Sequence, residues 1–203
     1  MHLEVLVEEL SIELALTNIL PKILPPNITF KIHSFRGKND LVKKLPDRLK
    51  GYQAWLPLDH KIVILIDEDR QNCQELKQKI ENSTKGAGLI TKSSCSDEQD
   101  FQVLNRIVIE ELEAWFFGDI AAICQAYPRV SSNLANQAKF RDPDGIKGGT
   151  WEALEKVLKR AGYHQGGLEK INAAKEISQY MNPQVNRSKS FQIFYLYEPE
   201  DPR

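Results

Sequence analysis

Ile62-Val63-Ile64-Leu65-Ile66-Asp67-Glu68-Asp69 decides how the chain is read: five consecutive aliphatic residues end abruptly in three acids. A strand with one solvated face alternates apolar and polar residues, whereas an unbroken run of this kind suits a strand covered on both faces by helices. The run is therefore placed at the centre of a parallel sheet. Upstream, Leu3–Val7 reads as a first strand. Ser11 then caps a helix through Ile12, Leu16, Ile19, Leu20 and Ile23, which stops at Pro25-Pro26. Ile28–Phe35 alternates apolar with polar residues and belongs near the sheet edge. Lys38–Lys50 follows as a basic amphipathic helix interrupted by Pro46.

Downstream of the acids, Asn72–Lys85 reads as a helix ending at Gly86 and Gly88, Gly88–Thr91 as a short fourth strand, and Ser93–Asp100 as a surface loop. Phe101–Ile109 opens as a strand, and Glu110–Tyr127 carries Leu112, Trp115, Phe116, Ile120 and Ile123 in helical register. Beyond Pro128 the chain turns to short helices, at Trp151–Ala161 and Leu168–Tyr180, between glycine and proline breaks. The expected architecture is α/β: a mainly parallel sheet flanked by helices over residues 1–127, with a helical elaboration packed on it over residues 128–203.

Composition narrows the function. Of 203 residues, 41% are hydrophobic and 27% charged, and the net charge is −1, so the chain has the makeup of a folded domain with no global charge directed at a polyanion or a membrane. Its apolar runs are too short to span a bilayer, and the acidic start Met-His-Leu-Glu-Val is unlike a secretory signal. Three widely spaced cysteines, Cys73, Cys95 and Cys124, form neither a disulfide framework nor a zinc pattern, and the expected location is the cytoplasm. No glycine-rich phosphate loop is present, which argues against nucleotide hydrolysis by this chain alone.

The acids carry the chemistry. Glu8-Glu9 follows the first strand and Asp67-Glu68-Asp69 follows the buried one, and in an open α/β sheet ligands bind beyond the carboxyl ends of the strands. In extended backbone Asp67 and Asp69 point the same way. Clustered carboxylates call for a cation, and magnesium, or manganese in its place, is the hard ion that a few carboxylates and a phosphate hold. Acids in these positions also simply cap helices. Glu113 shares a helix side with Glu110 and is either a further carboxylate of the site or part of an acid-rich first turn; Trp115 belongs to the core. From Arg36 to Lys50 six basic residues face two acids, which gives either a nucleic-acid face or a solvated helix. Lys38, directly after Gly37, is placed to reach a phosphate, as is Arg36. Arg187, Ser188, Lys189 and Ser190 form a second anion-binding cluster or else an ordinary turn. The four histidines show no metal or triad spacing and are read as structural.

Val5-Leu6-Val7-Glu8-Glu9-Leu10-Ser11-Ile12-Glu13 resembles the opening motif of TOPRIM domains, and Ile64-Leu65-Ile66-Asp67-Glu68-Asp69 resembles their second motif, an apolar strand ending in D-x-D. The resemblance covers about the first hundred residues and includes the nucleases of the overcoming-lysogenization-defect family. It implies a TOPRIM-like, Rossmann-like sheet, with Glu8 as acid-base and metal-binding residue, Asp67 and Asp69 as metal ligands and Glu13 as a second acid. Glu9 stands where that motif usually has glycine. The whole chain also resembles a family of bacterial proteins called domain of unknown function 4276, through His33-Ser34-Phe35-Arg36-Gly37-Lys38, Ile109–Phe116, Gly148–Glu152 and Arg187–Phe191.

Together these imply a magnesium-dependent phosphodiesterase, foremost a nuclease of a bacterial anti-phage defence system, acting on nucleic acid beside an ATPase partner. Lys38 and Arg187 would contact the phosphate backbone. Two other readings compete. A phosphoacceptor receiver module would use Glu8-Glu9 and Asp67, with Thr91 and Lys92 as switch residues; a catalytically silent subunit would keep the fold and bind the ATPase.

Overall fold

The computed structural model describes residues 1–68, 72–95 and 101–195. Four strands, β1 (His2–Val7), β2 (Thr29–Ser34), β3 (His60–Asp67) and β4 (Val103–Val108), form one sheet in the order β2-β1-β3-β4. β1 runs parallel to both of its neighbours, with Val7 opposite Ser34 on one side and Leu65 on the other. The parallel pairs are joined by the long crossovers that such pairing needs, which contain α1 (Leu10–Ile23) and α2 (Lys38–Trp55). The architecture is the expected α/β arrangement of a mainly parallel sheet flanked by helices.

The aliphatic run lies where its lack of alternation places it: every residue of β3 after His60 is buried, and β3 is an interior strand. β2, whose pattern alternates, is an edge strand. On one face of the sheet Leu6, Ile62, Ile64 and Ile66 pack with Leu41, Leu45, Leu49 and Tyr52 of α2 and with Leu76 and Ile80 of α3 (Cys73–Gly86). Asn72 caps α3, its side chain accepting from the backbone N–H groups of Gln74 and Glu75 at 3.0 and 3.3 Å.

Four local expectations are corrected. Ser11 is not a helix cap: α1 begins at Leu10, and the Ser11 hydroxyl donates to the Glu9 carboxylate. Pro46 does not interrupt α2, because the buried stripe Leu41, Leu45, Leu49 and Tyr52 runs through it and outweighs the loss of one helical N–H. Gly88–Thr91 is not a strand; Thr91 alone bridges to Val103, and the fourth strand is β4. The helix expected over residues 110–127 is two, α4 (Leu112–Gly118) and α5 (Ile120–Ala126). Asp119 separates them in a non-helical conformation, its carboxylate accepting from Ala122 N at 3.2 Å and Asn182 N at 2.8 Å.

The chain divides into two compact units, Met1–Glu13 with Pro25–Ile107, and Leu14–Leu24 with Val108–Arg203. The second is helical, holding α4, α5, α6 (Thr150–Arg160), α7 (Lys170–Tyr180) and α8 (Lys189–Tyr195). Its core includes Trp115, Phe116, Phe117 and Phe191, all essentially inaccessible to solvent. Lys22 Nζ closes the end of α7 by donating to the carbonyls of Ser178, Gln179 and Met181 at 3.1, 2.7 and 2.9 Å, the arrangement a helix carboxyl terminus favours. Among the described residues no helix is long and apolar enough to cross a membrane.

Candidate functional site

The carboxyl ends of β1, β2 and β3 lie side by side because the three strands are parallel and in register. Glu8, the residue after β1, is 6% exposed, and Asp67, the last residue of β3, is 4% exposed. The backbone N–H of Asp67 donates to Glu8 Oε2 at 3.4 Å, so two acids 59 residues apart meet at this edge. The loop after β2 joins them: Gly37 N donates to the Glu8 carbonyl at 2.7 Å, and Lys38 Nζ donates to the Glu68 carbonyl at 3.0 Å. Gly37 has φ +97°, a backbone conformation in which a side chain is strained, and this opens α2 with Lys38 turned back across the strand ends.

Other candidates lie around this point. Glu13, on the first turn of α1, accepts a hydrogen bond from the Ser34 hydroxyl at the end of β2. The Arg36 side chain is exposed, while its backbone N–H donates to Asp40, which also pairs with Lys44 at 2.8 Å. Glu9 does not need the freedom of the glycine it replaces: among the described residues other than glycine, only Glu110 and His164 have positive φ. Asp69 lies outside the described residues. The Thr91 hydroxyl donates to the buried Glu81 carboxylate at 2.6 Å, and Lys92 Nζ sits 5.5 Å from the Phe101 ring centre.

The remaining candidates belong to the second unit. Glu113 is buried in α4. Arg187 is exposed, with its backbone N–H on the Gly118 carbonyl at 3.0 Å. Ser188 and Ser190 are buried, and the anion they hold is internal: their hydroxyls donate to Asp144 Oδ1 at 2.7 and 3.0 Å, and the backbone N–H groups of Lys189 and Ser190 to Asp144 Oδ2 at 2.5 and 3.3 Å. Four donors suited to a phosphate thus surround a carboxylate.

One polar cluster escapes the sequence reading. Glu4 stands among apolar residues in the interior strand β1, and that misplaced charge is the signal that could have revealed it. Its Oε2 faces His33 Nε2 at 2.5 Å and accepts from the Tyr52 hydroxyl at 2.9 Å; His2 Nε2 lies 3.5 Å from its Oε1. Burial pushes the Glu4 pKa up, but the hydrogen bonds from His33 and Tyr52 outweigh it, and the net shift is below the ordinary 4.5. Burial and the same carboxylate push the Tyr52 hydroxyl up to about 12. Ionised Glu4 therefore contributes stability that is fully present above about pH 4.5 and is lost as pH falls through the lower folded value. Glu4→Gln removes that dependence, and acid titration followed by circular dichroism should show a shallower loss of structure below pH 4.5 than in the parent protein.

The donor set at the strand ends suits a hard cation. Glu8 and Asp67 supply carboxylate oxygens, and magnesium needs only one or two of these, with water and substrate oxygens completing its shell. Among the described residues no three of His, Cys, Asp or Glu gather closely enough to hold a metal unaided.

Comparison with known proteins gives a family and a remote structural likeness. The model of the family described as "Domain of unknown function (DUF4276)" matches residues 7–196. Among solved structures, the C-terminal region of the OLD protein of Xanthomonas campestris pv. campestris is similar at 14% identity, with 96% of this chain and 90% of that chain covered and a TM-score of 0.45. No curated protein matches the chain.

Proposed function

The chain belongs to the domain of unknown function 4276 family, and from that premise we propose that it is a metal-dependent phosphodiesterase, foremost a nuclease, on a TOPRIM-like sheet. The observation that carries this reading is the meeting of buried Glu8 and Asp67 at the carboxyl ends of neighbouring parallel strands. Glu8 and Asp67, joined by Asp69, would hold magnesium or manganese. Such an ion supplies Lewis-acid polarisation of a phosphate oxygen and lowers the pKa of a bound water.

The protein's own groups divide the remaining work. The Glu8 carboxylate accepts the proton of the attacking water, and its burial keeps that base in a weakly screened setting. Lys38 holds the Glu68 carbonyl with one of its three N–H donors, fixing the loop that carries the acids, and offers its charge to the phosphate. Arg36 extends that basic edge, and Glu13 is the further acid on α1. Glu113 and Arg187 belong to the second unit, and the reading of the strand-end site does not rest on them. A companion ATPase would supply any nucleotide-driven step, in the cytoplasm and as part of anti-phage defence.

The direct test offers plasmid DNA and a structured RNA to the purified protein with magnesium or manganese. Cleavage should require the metal, stop with a chelator and return when the ion is restored in excess. Equal cleavage with and without chelator would overturn the metal assignment. Incubation with acetyl phosphate and magnesium should leave no phosphate on Asp67; a stable phosphoaspartate there would favour a receiver module instead.

A further inference from the structure

A second feature of the sheet unit is not used by the metal chemistry. A cavity of about 280 Å3 opens between β2 and the second half of α2, lined by Lys31, His33, Arg48, Tyr52 and Trp55 above the buried Glu4, with Asp47 and Gly51 at its border. Lys31 lies opposite Glu4 in the parallel register, and His33 is two residues further along the same face. Trp55 is 56% exposed, unusual for an indole, and its ring stands 5.4 Å from that of Tyr52.

The hydrogen bonds fix the state of the cavity wall. A guanidinium can only donate, so the 3.2 Å contact between Arg48 Nη2 and His33 Nδ1 makes Nδ1 an acceptor. The proton of the neutral imidazole then sits on Nε2, where it points at Glu4 Oε2, 2.5 Å away. Glu4 is thereby covered from inside, its carboxylate hydrogen-bonded by His33 and Tyr52. What the mouth of the cavity presents is two cationic side chains, Lys31 and Arg48, one acid, Asp47, and a flat aromatic surface. His33 takes one of the five guanidinium donors, and Arg48 stacks over Tyr52 at 5.2 Å, which orients the fork.

We propose that this cavity binds one nucleotide unit, the phosphate between Lys31 and Arg48 and the base against the Trp55 indole. Cations beside an exposed aromatic are the combination that holds single-stranded nucleic acid without reading its sequence. The volume lies at the lower end of small-ligand cavities and suits one nucleotide rather than a longer ligand. Glu4 on β1 precedes Glu8, the residue just after that strand, by four residues, about 13 Å at the rise of a parallel strand. Resting on the nuclease reading, the cavity would then hold a nucleotide a few positions from the phosphate at Glu8 on the same strand.

The test uses the full chain with a chelator present, so that binding is separated from metal and cleavage. Thymidine 5′-monophosphate and tetrathymidylate are titrated against tryptophan fluorescence, with hexa-aspartate peptide as the acidic control. Saturable quenching by a nucleotide probe and not by the peptide is expected. Saturation by the monophosphate identifies a free nucleotide as sufficient, and response to tetrathymidylate alone identifies a strand. By anisotropy of labelled tetrathymidylate, or by competition from the monophosphate, Lys31→Ala, Arg48→Ala and Trp55→Ala should each weaken binding about tenfold. All three side chains are exposed, so these variants are expected to fold. Unchanged affinity in the three variants, no quenching by either probe, or equal response to the peptide overturns the proposal. Variant-sensitive binding in a protein that never cleaves with magnesium would sink the nuclease reading and leave the cavity standing.

Discussion

Asp67→Asn should lower metal-dependent cleavage by about a thousandfold while leaving the fold in place. The substitution keeps the size of the side chain and the main-chain N–H that bonds Glu8 Oε2, so the junction of β1 and β3 survives. It removes the negative charge that a divalent cation needs, at a position buried enough for charge to count heavily. Single-turnover cleavage together with manganese titration calorimetry checks it, and far-UV circular dichroism verifies the fold. Activity within tenfold of the parent would remove Asp67 from the site. Glu8→Gln should cost a similar amount, and the double variant little more than either alone, because groups that act as one unit do not add.

Trp115→Ala should produce the largest loss of stability of any single substitution considered. The indole is fully buried, packs edge-on against Phe191 and obliquely against Phe194 with ring centres 5.1 Å away in each case, and donates to Ser190 Oγ at 2.9 Å. Removing a buried aromatic of this size costs about 3–5 kcal/mol. At about 2–4 °C per kcal/mol for a chain of this length, the melting temperature falls by roughly 10 °C. Trp115→Phe keeps most of the ring contact and forfeits the hydrogen bond, a loss of about 1 kcal/mol. Thermal unfolding of both variants decides the point: an alanine variant within 1 kcal/mol of the parent would show that the helical core closes over the gap.

How far the sequence could be read depended on how local each determinant is. The aliphatic run of β3 and the alternation of β2 are properties of neighbouring residues, and both strands lie where those patterns put them. Glu8 and Asp67 were legible because a strand end is visible in sequence and parallel strands align their ends. The Lys38 bond to Glu68 was not legible, since its acceptor is a main-chain carbonyl thirty residues away, which leaves no trace in residue type. Ser188 and Ser190 read as donors for a phosphate or as an ordinary turn; in the structure their hydroxyls donate to Asp144, more than forty residues upstream, a partner that local sequence does not reveal. Asp119 lies inside the stretch read as one helix over residues 110–127; only the fold shows that its backbone leaves the helical conformation there and that its carboxylate caps the next helix and holds Asn182 N. Glu4 could have been found by asking why a carboxylate sits in a buried strand.

The interior position of β1 also bears on the birth of the protein. β1 is made before β3, one of its two sheet partners, whose pairing begins at His60. Contacts closed over so long a loop form late, because the entropy of closure is spent before the pairing repays it. Glu8 and Asp67 therefore remain apart until the strands pair, and the edge that brings them together exists only once the sheet has closed. On the proposed reading, cleavage would require β1 and β3 to be paired, so activity would double as a report that the parallel sheet has closed.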